Sequence, residues 1–223
     1  MHQRISKTIF IYLFIFLILG TLNNKNFQIF NFFSNNNLRI IDESENKDIK
    51  IYSDLSKFKN QNLFFLNKDK VASEINKHQI VENYFVFKHY PNNLSFKIQK
   101  TKLLAIVKKN GFDFYIGSNG NLIKIENDKI DLPYIFGKTE ISEFLKLKDI
   151  IDSSEFDYSK IEKFYYFKSK RWDIKTKDGQ LVRLPKQRLE KSFKILTNIL
   201  SSQEFKDLKE IDLRQENQVI LNG

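Results

Sequence analysis

The chain has 223 residues, of which 41% are hydrophobic and 29% charged, with 22 Phe, no Cys and a formal net charge of +10. The absence of cysteine excludes a disulfide framework, a thiol nucleophile and thiolate metal ligation. The positive charge does not make a nucleic-acid binder: only six of the 37 basic residues are Arg, the side chain of bidentate phosphate and base recognition, and the lysines are spread along the chain.

The first element is the uncharged run Ile9–Leu19, preceded by Arg4 and Lys7. As a helix, Thr8–Leu22 spans about 22 Å, or about 27 Å from Ile5 with Lys7 snorkelling, against a hydrocarbon core of about 30 Å. A signal peptidase needs small residues in an A-x-A-like arrangement, and Leu19-Gly20-Thr21-Leu22-Asn23 offers none; the only alanines are Ala72 and Ala105. An uncleaved anchor over residues 8–24 is the expectation. Positive charge before the run, against Lys25 alone shortly after it, puts residues 1–7 in the cytoplasm and the bulk of the chain outside. Export also removes nucleic acid as a partner. Residues 25–36 read as an Asn-rich connector whose Phe27, Ile29, Phe30, Phe32 and Phe33 form a juxtamembrane aromatic belt or a helical extension of the anchor.

About 200 residues follow, enough for one large domain or two small ones. Leu38–Ile41 is a short strand, and Ile51, Leu55 and Phe58 mark an amphipathic helix. Asn62–Leu66 reads as a buried link ending at Asn67, the N-cap of a helix carrying Val71 and Ile75. Tyr84–Lys88 and Leu94–Ile98 are β-runs joined through Pro91-Asn92-Asn93, which completes a β-α-α-β-β order.

Beyond Leu103 strands dominate. Leu104–Val107 and Phe112–Ile116 precede the turn Ser118-Asn119-Gly120 and Leu122–Ile125. Leu132-Pro133 ends an extended run, with Gly137 just beyond. A helix over Glu140–Asp152 sets Ile141, Phe144, Leu145, Lys148 and Ile151 on one side. Lys163–Phe167, Arg171–Thr176 and Leu181–Leu184 are further β-runs, the last two joined by an Asp178-Gly179 turn. Leu189, Phe193, Leu196 and Leu200 mark another helix. Glu210–Arg214 and Gln218–Leu221 close the chain as two short strands around Gln215-Glu216-Asn217.

Six segments in this order resemble the FtsQ/DivIB family of bacterial cell-division proteins. They are Asn62–Asn67 (NLFFLN); Tyr84–Lys100 with its basic-Tyr-Pro run; Asn119-Gly120; Leu132-Pro133 with Gly137; Trp172 with Asp178-Gly179 and Val182-Arg183-Leu184; and Ile211-Asp212-Leu213-Arg214. Lys100 stands where many members carry a Glu-Arg-x-Pro run, and Gln79-Ile80-Val81 replaces a PWV-type triplet. The resemblance implies an α+β chain: an N-terminal transmembrane helix, a β-α-α-β-β POTRA domain over 37–101, and a mixed β-sheet domain with flanking helices over 102–223.

It further implies a non-catalytic divisome scaffold in the cell inner membrane, single-pass, with its bulk periplasmic. Such a scaffold binds the FtsB and FtsL proteins, meets other divisome components through the POTRA sheet edge, and helps control septal peptidoglycan synthesis. FtsB docks at Leu213, Arg214 and Gln215, with Val219, Ile220 and Leu221 as the continuing strand, by addition to an open sheet edge. Ile211 and Leu213 could equally fill the core, and Arg214 could meet a partner carboxylate or merely cover the edge. Gln215 stands where some members carry an aromatic residue. No cofactor, nucleic acid or small-molecule substrate is expected; inner-membrane lipid is. The alternatives are a POTRA-bearing envelope assembly or secretion accessory protein, which would call for a C-terminal β-barrel, and an anchored cell-wall enzyme. Against the enzyme, His2, His78 and His89 have no metal spacing, and His78 reads as a surface or capping residue. Glu162 and Asp173 would make an acid–base couple only if something placed them together.

Overall fold

The computed structural model describes residues 7–22, 33–42, 48–126, 129–202, 208–216 and 218–223. Arg4, the connector residues Phe27, Ile29, Phe30 and Phe32, and Asn217 lie outside the described residues. Helix α1 (Lys7–Leu22) has 16 residues and is therefore about 24 Å long. Its large side chains from Ile9 to Leu19 are all exposed. No described helix is long and apolar enough to cross a membrane. The chain divides into two compact units, Met1–Lys100, which includes α1, and Thr101–Gly223.

In the first unit, β1 (Asn37–Asp42) is followed by α2 (Ile49–Ser56), α3 (Lys68–Asn76), β2 (Val81–His89) and β3 (Asn93–Lys100). The sheet order is β1-β3-β2, with β1 parallel and β2 antiparallel to β3. Alternation along β3 turns Leu94, Phe96 and Ile98 inward onto Ile51, Leu55, Val71 and Ile75 of the helices. Each helix starts on a side-chain cap. Asp48 accepts from the backbone N–H groups of Lys50 and Ile51, and Asn67 accepts from those of Asp69 and Lys70.

Among its described residues the second unit holds a nine-stranded sheet and two α-helices: β4 (Leu103–Lys109), β5 (Phe112–Gly117), β6 (Leu122–Lys124), β7 (Tyr134–Phe136), α4 (Ile141–Asp152), β8 (Ile161–Tyr166), β9 (Trp172–Thr176), β10 (Leu181–Arg183), α5 (Leu189–Ser201), β11 (Glu210–Asp212) and β12 (Ile220–Asn222). The spatial order is β12-β11-β10-β9-β8-β7-β4-β5-β6. Two β-α-β crossovers, β7-α4-β8 and β10-α5-β11, join parallel neighbours. Both helices contribute to one core: Phe144, Leu147 and Ile151 of α4 and Phe193 and Leu196 of α5 cover Ile135, Phe164, Ile174, Val182 and Ile211 of the sheet. Phe164 sits at its centre, edge-on to Phe144 at 5.5 Å and to Trp172 at 6.1 Å. No described helix of this unit packs on the opposite sheet face.

Several expectations are corrected. Sequence patterning gives no strand at Tyr134–Phe136, yet β7 pairs in parallel with both β4 and β8 and joins the two halves of the sheet. Three residues between Pro133 and Gly137 are too few to show a period. The Asn62–Leu66 link is only half buried: Phe64 N–H donates to Asn62 Oδ1 in a tight turn, which sends Leu63 and Leu66 inward and leaves Phe64 57% and Phe65 72% exposed. In α4 the buried stripe runs through Leu147 rather than Lys148. Lys148 lies across the Tyr158 ring at 4.5 Å and pairs with Asp152. His78 is no surface residue either: its side chain is 12% exposed, with Nε2 3.1 Å from Asp54 Oδ2. Truncating Phe164 to Ala removes the centre of the core and is expected to lower the unfolding free energy by about 3–5 kcal/mol. Phe136→Ala, on the exposed face, should cost under about 1 kcal/mol; urea midpoints of the two variants check the contrast.

Candidate functional site: the C-terminal sheet edge

The C-terminal end of the sheet is built from short pieces. Strand β10 runs parallel to β11, matching Val182 with Ile211 and Arg183 with Asp212. Strand β12 then folds back antiparallel, matching Ile211 with Leu221 and Asp212 with Ile220. Backbone bonds fasten the ribbon: Leu213 N–H donates to Arg183 O at 2.9 Å, and Lys209 N–H donates to Asn222 O at 2.8 Å. Beyond β12 no further strand pairs among the described residues, so its outer N–H and C=O groups face outward.

Side-chain alternation sorts the expected docking residues. Leu213 is buried in the core, and Leu221 packs against the same cluster from the edge. Arg214 is exposed, but its guanidinium is engaged. Its Nε donates to the two Asp212 oxygens at 2.8 and 2.9 Å, and its backbone N–H donates to Oδ1 at 3.0 Å. Gln215 is exposed on the turn after it. Val219 is 38% and Ile220 44% exposed, apolar side chains offered to solvent on the last strand and the residue before it. The turn is held by Arg188, whose Nη1 donates to Glu216 Oε1. A groove of about 310 Å³ runs beside it, with Lys191 and Ile195 of α5 facing Leu213, Gln218 and Val219.

The face away from the helices carries a charged row that single-strand patterning did not single out. Arg183 stands between Asp173 on β9 and Asp212 on β11. Arg171 Nε donates to Asp173 Oδ1 at 3.2 Å, and Arg183 Nε pairs with Glu210 Oε1 at 2.7 Å. The alternation Arg171-x-Asp173 and Asp212-x-Arg214 is present in the sequence, but only register brings the three strands side by side. The two carboxylates are tuned in opposite directions. Burial pushes Asp173 above the usual carboxylate range, partly offset by Arg171. The Arg214 hydrogen bond holds Asp212 below that range. Glu162 is not coupled to Asp173; it pairs with Lys163 at 2.7 Å.

These features describe an α+β domain whose last strand is an open edge. The family model for the C-terminal domain of the cell division protein FtsQ/DivIB matches residues 105–214, most of this unit. The chain is 23% identical over 166 residues to the cell division protein FtsQ of Bradyrhizobium diazoefficiens, an alignment covering 71% of this chain and 48% of that protein. The chain thus spans about half the length of that curated relative. Among solved structures, the major extracytoplasmic domain of the trans isomer of DivIB from Geobacillus stearothermophilus is similar over 42% of this chain and 86% of that domain, with 14% identity and a TM-score of 0.33. Residues 105–214 thus carry the C-terminal domain of the FtsQ/DivIB family.

Because Asp212 titrates lower in the fold than in the unfolded chain, its contribution to stability is complete above the ordinary carboxylate pKa of about 4 and is lost as pH falls through the folded value. The stability gap between the parent and Asp212→Asn is therefore expected to be largest near neutrality and to shrink as pH drops below about 4. Urea midpoints measured along a pH series check this.

Proposed function

We propose that the protein is a non-catalytic scaffold of the cell-division machinery, held in the inner membrane by α1 with its two units in the periplasm. Support for the anchor comes from the uncharged run Ile9–Leu19, exposed along its length, and from the positive charge ahead of it. The first unit has the β-α-α-β-β order of a POTRA module, and its sheet edge would serve other divisome components. The second unit would take a strand of FtsB, with FtsL accompanying it, and in this way help control septal peptidoglycan synthesis.

The observation that carries this reading is the free edge of β12 with Val219 and Ile220 exposed beside it. A partner strand added there gains main-chain hydrogen bonds, and alternate side chains supply the specificity. Gln215 and the groove beside Val219 would flank the incoming strand. Arg214 is committed to Asp212, so its role at the edge is to hold the turn rather than to wait for a partner carboxylate.

A charge at the edge should be incompatible with strand addition. Val219→Asp, or Leu221→Asp at the core side of β12, is expected to abolish pulldown of FtsB while leaving the first unit folded; undiminished capture would reject the docking site. At the cellular level, depletion should yield filaments with unconstricted division sites. Normal septation without the protein would sink the scaffold role.

A further inference from the structure

An aromatic cluster in the first unit is left unexplained by its core. Phe33 meets Phe64 edge-on at 4.5 Å, and Phe64 lies 4.9 Å from Tyr90. Phe64, the neighbouring Phe65 and Tyr90 are each more than half exposed. Exposed rings gathered in this way are costly in water unless something covers them.

The backbone shows what lies nearest along the chain. The segment Phe33–Asn35 is fastened onto the α2–α3 link. Leu63 N–H donates to Phe33 O at 3.0 Å, Asn35 N–H to Gln61 O at 3.0 Å, and Asn60 N–H to Asn35 O at 2.9 Å. Ser34 bridges Asn62 in antiparallel fashion, and the Asn35 amide donates to Phe58 O at 2.6 Å. This fastened segment leads into β1 from Phe33, itself a member of the cluster. Residues 23–32 separate that point from Leu22, the end of the apolar helix, so Phe33 lies at most about 40 Å from it. Charge points the same way. Lys88 Nζ donates to the carbonyl of Leu63, the residue before Phe64, at 2.8 Å. Burial lowers the Lys88 pKa, and the charge of exposed Lys68 adds to that shift. Lys68, exposed at the start of α3 three residues after Phe65, sets a positive charge close along the chain to these rings, as suits an anionic phosphate surface.

We propose that Phe64, Phe65 and Tyr90, with Lys68 beside them, form a lipid-docking face that seats the first unit on the anionic surface of the bilayer holding α1. The rings enter the headgroup boundary and the lysine meets lipid phosphate, as on interfacial proteins. This rests on the anchored reading of α1. It goes beyond the scaffold role by assigning the first unit a posture at the membrane.

The test uses the full chain in vesicles of phosphatidylcholine and phosphatidylglycerol doped with headgroup-proximal nitroxide lipid. With no native cysteine, a fluorophore can be placed singly by Leu13→Cys in α1 or Phe65→Cys in the cluster. Both labels are expected to be quenched by the nitroxide. Lys68→Gln, which leaves the packing intact, should lower the docked-to-undocked ratio of the Phe65→Cys label about fivefold, as expected for one lysine at an anionic surface. Omitting phosphatidylglycerol should lower it further. A quenched Leu13→Cys label with an unquenched Phe65→Cys label overturns the docking face and leaves the anchor standing; this is also the result if a second copy or another protein covers the rings. An unquenched Leu13→Cys label overturns the anchor, and docking with it. Quenching at Phe65→Cys that ignores both lipid charge and Lys68→Gln overturns the assignment to an anionic surface.

Discussion

The second unit depends on a close approach at the end of β7. Gly137 has φ +103°, and a Cβ there would lie 2.1 Å from the carbonyl oxygen of Tyr166, so only glycine allows the chain to leave β7 and turn into α4 against β8. That exit fixes β7 between β4 and β8. With it in place, β4–β6 and β8–β12 are one sheet; without it, nothing would pair β4 to β8. The crossover through α4 then follows, and with it the burial of Phe144 against Phe164 and Trp172.

The same arrangement accounts for the asymmetry of the sheet. Both crossover helices lie on one face, so the inward residues Ile135, Phe164, Ile174, Val182 and Ile211 form an apolar core. The outward residues of the same strands are free to be charged or aromatic. They include Tyr134, Phe136 and Tyr165, whose rings stack in sequence, and the Asp173–Arg183–Asp212 row. Burial raises the pKa of one carboxylate of that row, and a well-aligned guanidinium lowers that of the other. The row adds cross-strand pairing, as between Arg183 and Glu210 at 2.7 Å, to the apolar packing of Val182, Ile211 and Leu221 beneath the last strands. A rigid edge spends less ordering entropy on a partner strand than a frayed one, which is why the Asp212–Arg214 fork matters to the proposed function.

Much of the order of elements was legible in the sequence because local signals agreed. Asn67 and its capped helix, the Asn119-Gly120 and Asp178-Gly179 turns, the alternation of Leu94, Phe96 and Ile98, and the helical spacing of Phe193 and Leu196 each carry their own physical signature. What failed did so for identifiable reasons. Strand β7 is shorter than any period that could betray it. Phe64 and Phe65 read as core because they are apolar, and only the turn at Asn62 sends them outward. A place at a helix end reads as that of a surface or capping histidine, but His78 is largely enclosed, with its ring beside Asp54 of α2.

The candidate edge divides along the same line. Sequence alone determined that Ile220 and Leu221 lie on a strand and that Leu213 could serve either core or partner, because alternation and apolar character are local properties. Tertiary structure decided that Leu213 is core, that Arg214 is spent on Asp212, and that β12 is the last strand of the sheet. Position in a sheet and register between strands are set by residues far apart in the chain, and no local pattern encodes which backbone groups remain unpaired.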